Sequence, residues 1–597
     1  MTYNLISDLR ANAGSLTNNF SNLLGYYVIG DGGGGDFYWD SASTETDNGG
    51  TIIGSFSMGR WKRLFSSVLD VKWFGTKGDG IALDDPAIFN CITEAMSSGV
   101  DVYIPQGSYL ITEGALAFDN GFTNKPFPNI YTAGDGGVIF VAAGINPSPF
   151  ITLTNGTATS DSGNYWEGGI IGGINFTDSH SGRSGVHGIS LTGVKGMKFG
   201  ELRGDYLNGS LVYCPTTLYA GTDPDPYAVW FCQFDLLEAN YCQGYALENQ
   251  NYLGFNANII NNLRAISCVS GGYFGFGAGN IINIASIAGC SGWAFDDGTN
   301  VAATGGAPLK FIVNTAELDT VQYGIRLNRS ILVSFNEIRF NYNYQTGPGV
   351  YWPITAVSFC AGATPECTEI YMNLVHRIDS GGPMGSQVGP FIDGSNNPNI
   401  ANVSIDNRIL DNAGPGVMVN ALFANINPST SMDIKQNGKL IFDSNIKIAA
   451  LVNANTGPTG SSISGTVTDF AAFNAKVTFP NVRYDRTSNY SVSGSDYTIP
   501  YTGLYRVNAS INLILAAGSC VTLGVVRVRG AASVNAGVDI SYAAASSVSQ
   551  IYEINRLIDF VAGDIAYIAA VQNTGTPVNL SFMYSTVAEN QFSIQVV

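Results

Sequence analysis

Leu69-Asp-Val-Lys-Trp-Phe-Gly-Thr-Lys-Gly-Asp-Gly-Ile-Ala-Leu-Asp-Asp-Pro-Ala-Ile-Phe-Asn-Cys-Ile92 is the stretch on which the fold turns. An apolar strand runs to Phe74 and breaks on Gly75, Gly78 and Gly80, which supply turn geometry. Asp85 is placed to cap a helix whose first position is Pro86. Ile88, Cys91, Ile92 and Ala95 then recur at helical spacing, predicting a helix over 86–97. Val102-Tyr-Ile-Pro-Gln-Gly107-Ser-Tyr-Leu-Ile-Thr112 follows as strand, turn and strand. One short helix at the head of a strand-rich text suits a cap over the open end of a solenoid, whose first rung has no neighbour. Upstream, the densest glycine cluster is Gly25-Tyr-Tyr-Val-Ile-Gly-Asp-Gly-Gly-Gly-Gly-Asp-Phe-Tyr-Trp39. No Gly-Lys-Ser/Thr follows it, so a phosphate loop is rejected and residues 1–66 read as a small head of short strands.

Downstream, from about 110 to 420, Asn, Gly and Ser punctuate short Ile/Val/Leu/Phe strands, as solenoid rungs require. Leu237-Glu-Ala-Asn-Tyr-Cys-Gln-Gly244-Tyr-Ala-Leu-Glu248 is followed by similar runs around Gly272, Gly292 and Gly324. The four glycines are aligned as one turn on four successive coils, giving coil lengths of 28, 20 and 32 residues. Cys242, Cys268 and Cys290 fall near one position and are expected to stack as core thiols. Residues 421–470 read as an Asn/Ser/Thr-rich connector, and 471–597 as Val-rich strands joined by tight turns.

The entry stretch is similar to the first coil of the pectate-lyase-like β-helix family, at Phe74, Gly75, Gly78, Asp79, Gly80, Asp84, Asp85, Pro105, Gly107 and Tyr109. The block before it, with Phe37-Tyr-Trp-Asp40 and Gly59-Arg-Trp-Lys-Arg63, resembles the N-terminal segment of phage tailspikes. Asp496-Tyr-Thr-Ile-Pro-Tyr-Thr-Gly503 and Asp559-Phe-Val-Ala-Gly-Asp564 resemble strand–turn signatures of the complement/tumour-necrosis-factor jelly roll. Together these resemblances imply an all-β chain: a right-handed parallel β-helix solenoid over 67–420 with a groove, a small N-terminal head that attaches to the virion, and a C-terminal β-sandwich for trimerisation or carbohydrate binding. They further imply a homotrimeric tailspike that attaches to a phage tail, a baseplate or another spike. It would be folded in the host cytoplasm and act outside it, binding and cutting a bacterial capsular or O-antigen polysaccharide. A β-eliminating lyase, a deacetylase and a non-catalytic adhesin stay open as alternatives.

Composition agrees and excludes. Charged residues are 12% and glycine numbers 72, which suits ladders and turns rather than disorder. Lys and Arg number 28 against 46 Asp and Glu, a net charge of 28 − 46 = −18 that repels nucleic acid and anionic membranes. The start shows no secretory signal and no apolar run is long enough to span a membrane, so no membrane insertion is expected. Nine Cys without a Cys-x-x-Cys and three scattered His support no metal site, and no cofactor is expected. Asp223-Pro-Asp225 reads as a turn before it reads as a calcium loop.

Breaking a glycosidic bond takes two flanking carboxyl groups. Adjacent rungs lie about 4.8 Å apart, so outward carboxylates two rungs apart approach the spacing of inverting enzymes. Period-two alternation from each glycine predicts Tyr245, Leu247, Tyr273, Trp293 and Phe295 inward. It predicts Ala246, Glu248, Phe274, Phe276, Ala294, Asp296 and Arg326 outward. Glu248 and Asp296 are the leading catalytic pair and Glu238 the next candidate. Phe274 and Phe276 offer faces to sugar C–H groups, while Arg264 and Arg326 are expected to bind substrate. His180 and His187, in Ser179-His-Ser-Gly-Arg-Ser-Gly-Val-His187, are read as loop histidines before catalytic ones.

Overall fold

The computed structural model divides into two units, Met1–Asn341 and Tyr342–Val597, described separately below. In the first it describes all but 16, 56–57, 121–125, 135, 156–164, 216–227, 251–253, 276, 297–308 and 328–329; in the second, the strands and a few adjoining residues. Phe276, Asp223 and Asp225 lie outside the described residues.

The first unit opens with a small sheet in the order Thr2–Tyr3, Phe20–Leu23, Gly35–Asp40, Arg60–Arg63, Ile52–Gly54. Ile6, Leu9, Leu23, Phe37, Ile53 and Trp61 form its core. The glycine cluster is a loop wound around one carboxylate. Asp31 accepts the backbone N–H groups of Tyr26, Tyr27, Val28 and Gly33. Burial works to raise its pKa, and these four amides outweigh it and bring it down.

The entry helix runs Asp85–Ser98 and buries Ile88, Cys91, Ile92 and Ala95 as the spacing predicted. Its cap is Asp84, one residue before the expected Asp85, and the Asp84 side chain makes no capping bond. The carboxylates fasten neighbouring loops instead. Asp84 accepts from Lys77 N at 2.6 Å and Gly78 N at 3.0 Å, and Asp85 from Thr112 N at 3.1 Å.

Coils then stack by parallel pairing on three faces. Val229 pairs with Phe255, Gln233 with Ile259 and Tyr245 with Gly271, an advance of 26 residues on every face. Such equal advance is what one turn of a parallel β-helix requires. The next coil advances 22 (Ile259 to Ile281, Tyr273 to Phe295), and the following one 30 on the face that carries Phe295 and Ile325. The sequence alignment of glycines is therefore corrected. Tyr245, one residue after Gly244, pairs with Gly271, one before Gly272; Trp293, one after Gly292, pairs with Tyr323, one before Gly324. The glycines occupy two columns two residues apart, which turns the expected 28, 20 and 32 into 26, 22 and 30.

Inside, Phe199, Phe234, Ile260, Ile282, Val313 and Phe335 form one buried column, with the first two rings stacked at 4.7 Å. Cys242, Cys268 and Cys290 are buried free thiols. Each reaches back to a carbonyl of the preceding coil, Gly204 at 3.4 Å, Ala239 at 3.4 Å and Ala265 at 3.8 Å. The expected thiol stack is thus a core ladder.

In the second unit, parallel pairing joins Cys367–Asp379 to Ile400–Asp411 and that strand to Met432–Gln436. From there the pairing is antiparallel. One five-stranded sheet has the order Asn481–Asp485, Ile448–Asn453, Gln591–Val596, Gly503–Ile514, Ser549–Phe560. The other runs Tyr490–Ser491, Asp496–Thr498, Ile565–Gln572, Cys520–Arg529, Ala532–Tyr542. The two turn signatures singled out in the sequence meet: Ile499 N donates to Asp564 O at 2.7 Å, and Gly563 N to Ile499 O at 2.8 Å. Asp564 receives Arg529 through two bonds of 2.8 and 2.7 Å.

Candidate functional site

On the coil face that carries Tyr245–Asn249, one outward column reads Tyr213, Glu248, Phe274, Asp296, Arg326 in direct register. Glu248 and Asp296 are two rungs apart, as the sequence predicted, although the glycine alignment behind that prediction was shifted. The shift was two residues, and a slip of two keeps a side chain on its face where a slip of one reverses it.

Alternation itself fails at one point. Tyr245 and Glu248 are both half-exposed while Ala246 and Leu247 are both buried, and Trp293 with Ala294 and Phe295 repeats this. The chain bends as it leaves the corner, so positions three apart share the outer side. Tyr245 and Trp293, expected inward, therefore stand beside the carboxylate column, and Ala246 and Ala294, expected outward, are in the core. The Tyr245 ring lies 5.4 Å from Phe274. Burial first, then the charges of Asp296 and Glu248, push its phenol well above the usual tyrosine range.

The two carboxylates sit in unlike surroundings. Glu248 Oε2 accepts the Ser210 hydroxyl, and Oε1 accepts Gln250 Nε2 at 2.5 Å. Ser210 is fully buried and also accepts Tyr245 N at 2.9 Å, so its hydroxyl is aimed by the backbone. Asp296 is only 2% exposed, correcting the expectation of a solvent-facing side chain. Arg326 closes on it through both Nε, at 2.8 Å, and a terminal nitrogen. The same guanidinium lies 5.4 Å from the Trp293 ring centroid. Arg326, expected to be free for substrate, is thus held by Asp296.

One neighbour was undervalued in the sequence. The His187 ring lies flat on Tyr213, centroids 3.9 Å apart and planes within 4°. Burial lowers its pKa to about 4, so it is neutral near pH 7. Ser210 N donates to its Nδ1 at 2.9 Å, which assigns the ring proton to Nε2. His187 is therefore placed as a donor. Ser210 and Tyr213 were missed outright, because they precede the glycine repeat and their coil advances 35 residues (Val212 to Leu247). The only local signal was the Leu211-Val-Tyr-Cys214 strand text.

Glu238 and Arg264 lie elsewhere, on the coil face of the longer strands. There the outward column is Arg203, Glu238, Arg264, Ser286, Glu317, Arg339. Glu238 stands between Arg203 at 3.8 Å and Arg264 at 3.6 Å, and the Arg264 side chain is 52% exposed. Among the described residues no group of His, Cys, Asp and Glu is arranged to hold a metal. Among the described residues no helix is long and apolar enough to cross a membrane.

Residues 2–66 match the family model of the phage tail protein small four-stranded β-sheet domain. No curated protein matches the chain. Among solved structures, tailspike protein 2 of an Escherichia coli O157:H7 bacteriophage aligns at 11% identity over 100% of this chain and 80% of that one, with a TM-score of 0.44. A tailspike capsular polysaccharide depolymerase of Acinetobacter baumannii bacteriophage Fri1 aligns at 12% identity over 100% and 97%, TM-score 0.34. The globular domain of a zebrafish complement protein aligns at 15% identity over 26% of this chain and 97% of its own, TM-score 0.18. The chain is thus similar in its first residues to a phage tail β-sheet domain, and that domain leads into a parallel β-helix.

Proposed function

We propose that this chain is a bacteriophage tailspike, a virion tail component that binds a bacterial capsular or O-antigen polysaccharide and hydrolyses it. The observation that carries the reading is the phage-tail domain match at 2–66 directly ahead of a β-helix with an outward carboxylate–aromatic column. Glu248 is the half-exposed carboxyl, oriented by Ser210 and Gln250, and takes the general acid/base role. Asp296, about 9–10 Å away by rung spacing, is its partner. Arg326 leaves Asp296 for an anionic group of the substrate, which frees the second carboxylate when sugar is bound. Phe274, Tyr245 and Trp293 line the sugar path. The active form is a homotrimer, with the C-terminal sandwich holding the subunits.

Elimination is less well supported, because its base would have to be found here. His187 Nδ1 is occupied by the Ser210 N–H and Nε2 carries the ring proton, while burial and Glu248 raise the Tyr213 phenol. Mass analysis of products from a purified capsule tests the reading. Fragments carrying one added water per cut support hydrolysis; fragments with an unsaturated terminal uronate would establish a lyase, and released acetate with intact polymer a deacetylase.

A further inference from the structure

At the coil corner that precedes Ser210 and Tyr245 lies a groove of 720 Å³, walled by the loop Asp178–Ser184 on one side and by Tyr206, Asn208, Tyr241 and Gln243 on the other. None of these residues entered the site described above. Tyr206 and Tyr241 follow the paired residues Asp205 and Asn240, so they occupy the same corner of successive coils. Their rings stack, centroids 5.2 Å apart and planes within 10°. Both are open to solvent, 57% and 52% exposed.

Positive φ does not single these tyrosines out. The corner has φ near +60° on five successive coils among the described residues, and the three after the tyrosines carry Ser267, Gly289 and Thr320 there. The corner needs only a backbone in this conformation, which Gly289 adopts without strain and which Ser267 and Thr320 also hold without any ring. Two bulky rings on adjacent rungs are therefore not required by the fold, and they present a flat apolar platform of about two sugar rings' reach.

The facing wall is stiff. Glu113 and Asp178, each 1% exposed, grip Arg183 from two sides at 2.7 and 2.6 Å. Glu113 also accepts Gly144, Ile145 and Asn146 N–H groups, and Asp178 accepts Asn208 Nδ2 at 2.9 Å. Burial works to raise the Glu113 pKa, but Arg183 and the amides bring it down to about 2. The charges along the groove are thus two carboxylates against one guanidinium, with His180 bonded to Asp178 at 3.0 Å. An acidic sugar gains nothing from this wall, while serine hydroxyls, the Gln243 amide and the tyrosine faces suit an uncharged one.

The geometry points to a binding subsite for a neutral sugar of the polymer, stacked on Tyr206 and Tyr241 and bonded by the 178–184 loop. It rests on the polysaccharide reading above. Asn208 is two residues from Ser210, which aims Glu248, so a chain of sugars on the platform continues toward the carboxylate column.

The test uses the full-length protein and surface polysaccharide purified from a strain on which it forms a clearing zone. Tyr206→Ala with Tyr241→Ala is expected to raise KM about tenfold and leave kcat within about twofold. Tyr206→Trp with Tyr241→Trp restores the wild-type KM, because the platform is kept. Oligomeric state is read for each variant by light scattering. An unchanged KM for the alanine variant overturns the subsite, as does a fall in kcat alone. Loss of the native oligomer in that variant also overturns it, and assigns the tyrosines to a subunit contact. If the wild-type protein turns over no surface polysaccharide, the tailspike-hydrolase reading itself falls and takes the subsite with it.

Discussion

Two outward columns on the same coils both carry carboxylates and arginine and make different chemistry. On the long-strand face, Arg203, Glu238, Arg264, Glu317 and Arg339 alternate in sign. Arg264 and Arg339 are about half-exposed, at 52% and 49%. Water screens such pairs, and each contributes little. On the shorter-strand face, Glu248 and Asp296 are interleaved with Tyr213, Phe274 and the rings of Tyr245 and Trp293. There each charge has a fixed hydrogen-bond partner and the aromatic rings thin the water around it. A carboxylate on a β-helix is thus not marked as functional by facing outward. Half-burial does not mark it either, since the Glu238 side chain is 18% exposed and accepts Asn240 Nδ2 at 3.3 Å; what sets Glu248 apart is the flank of rings that a sugar can replace water against.

The sharpest way to break this comparison is to neutralise one carboxylate in each column. Glu248→Gln is expected to cut the rate of depolymerisation by about 10³-fold and leave the melting curve unchanged. Equal activity of wild type and variant would remove the distinction between the columns.

The second test is stability. Asp296→Asn leaves the Arg326 charge partly buried without its partner and should cost about 2–3 kcal/mol in denaturant unfolding. Adding Arg326→Met should recover most of that loss. A single variant as stable as wild type would mean that the pair is screened like those of the long-strand face.

The third is pH. His187 takes up a proton near pH 6.5 when unfolded and near pH 4 when folded. In that window the unfolded chain binds more protons, so stability falls as pH is lowered from about 6.5 to about 4, by roughly one proton's linkage. His187→Gln should flatten this slope. Glu113 acts at lower pH: its folded pKa is depressed, so its contribution is complete above pH 4.5 and lost as pH falls toward about 2. Unfolding midpoints measured from pH 7 to 3 separate the two windows.

The smallest effect is expected at Glu238. Glu238→Gln should change stability by less than about 0.5 kcal/mol and turnover by less than about twofold.

Much of the architecture was legible because it is written in local text. Gly75, Gly78 and Gly80 with the helix signals after them located the entry coil, and Ile88, Cys91, Ile92 and Ala95 located the buried face of its helix. Cys242, Cys268 and Cys290 revealed a ladder because a core column repeats one residue type. The Glu248–Asp296 column was legible only because the glycine misalignment was even. Three things were not. The outward place of Tyr245 and Trp293 depends on a bend that breaks alternation, and no residue type announces it. Arg326 closing on Asp296 is a contact between residues 30 apart, set by the length of one coil. The His187–Ser210–Tyr213 group assembles from parts of two coils whose register lies outside the visible repeat.

The most direct measurement is reducing-end release from one purified polysaccharide by Glu248→Gln and Glu238→Gln side by side, at matched folded concentration. The account predicts near-complete loss for the first and wild-type rates for the second. The reverse order would move the site to the long-strand face and contradict the account.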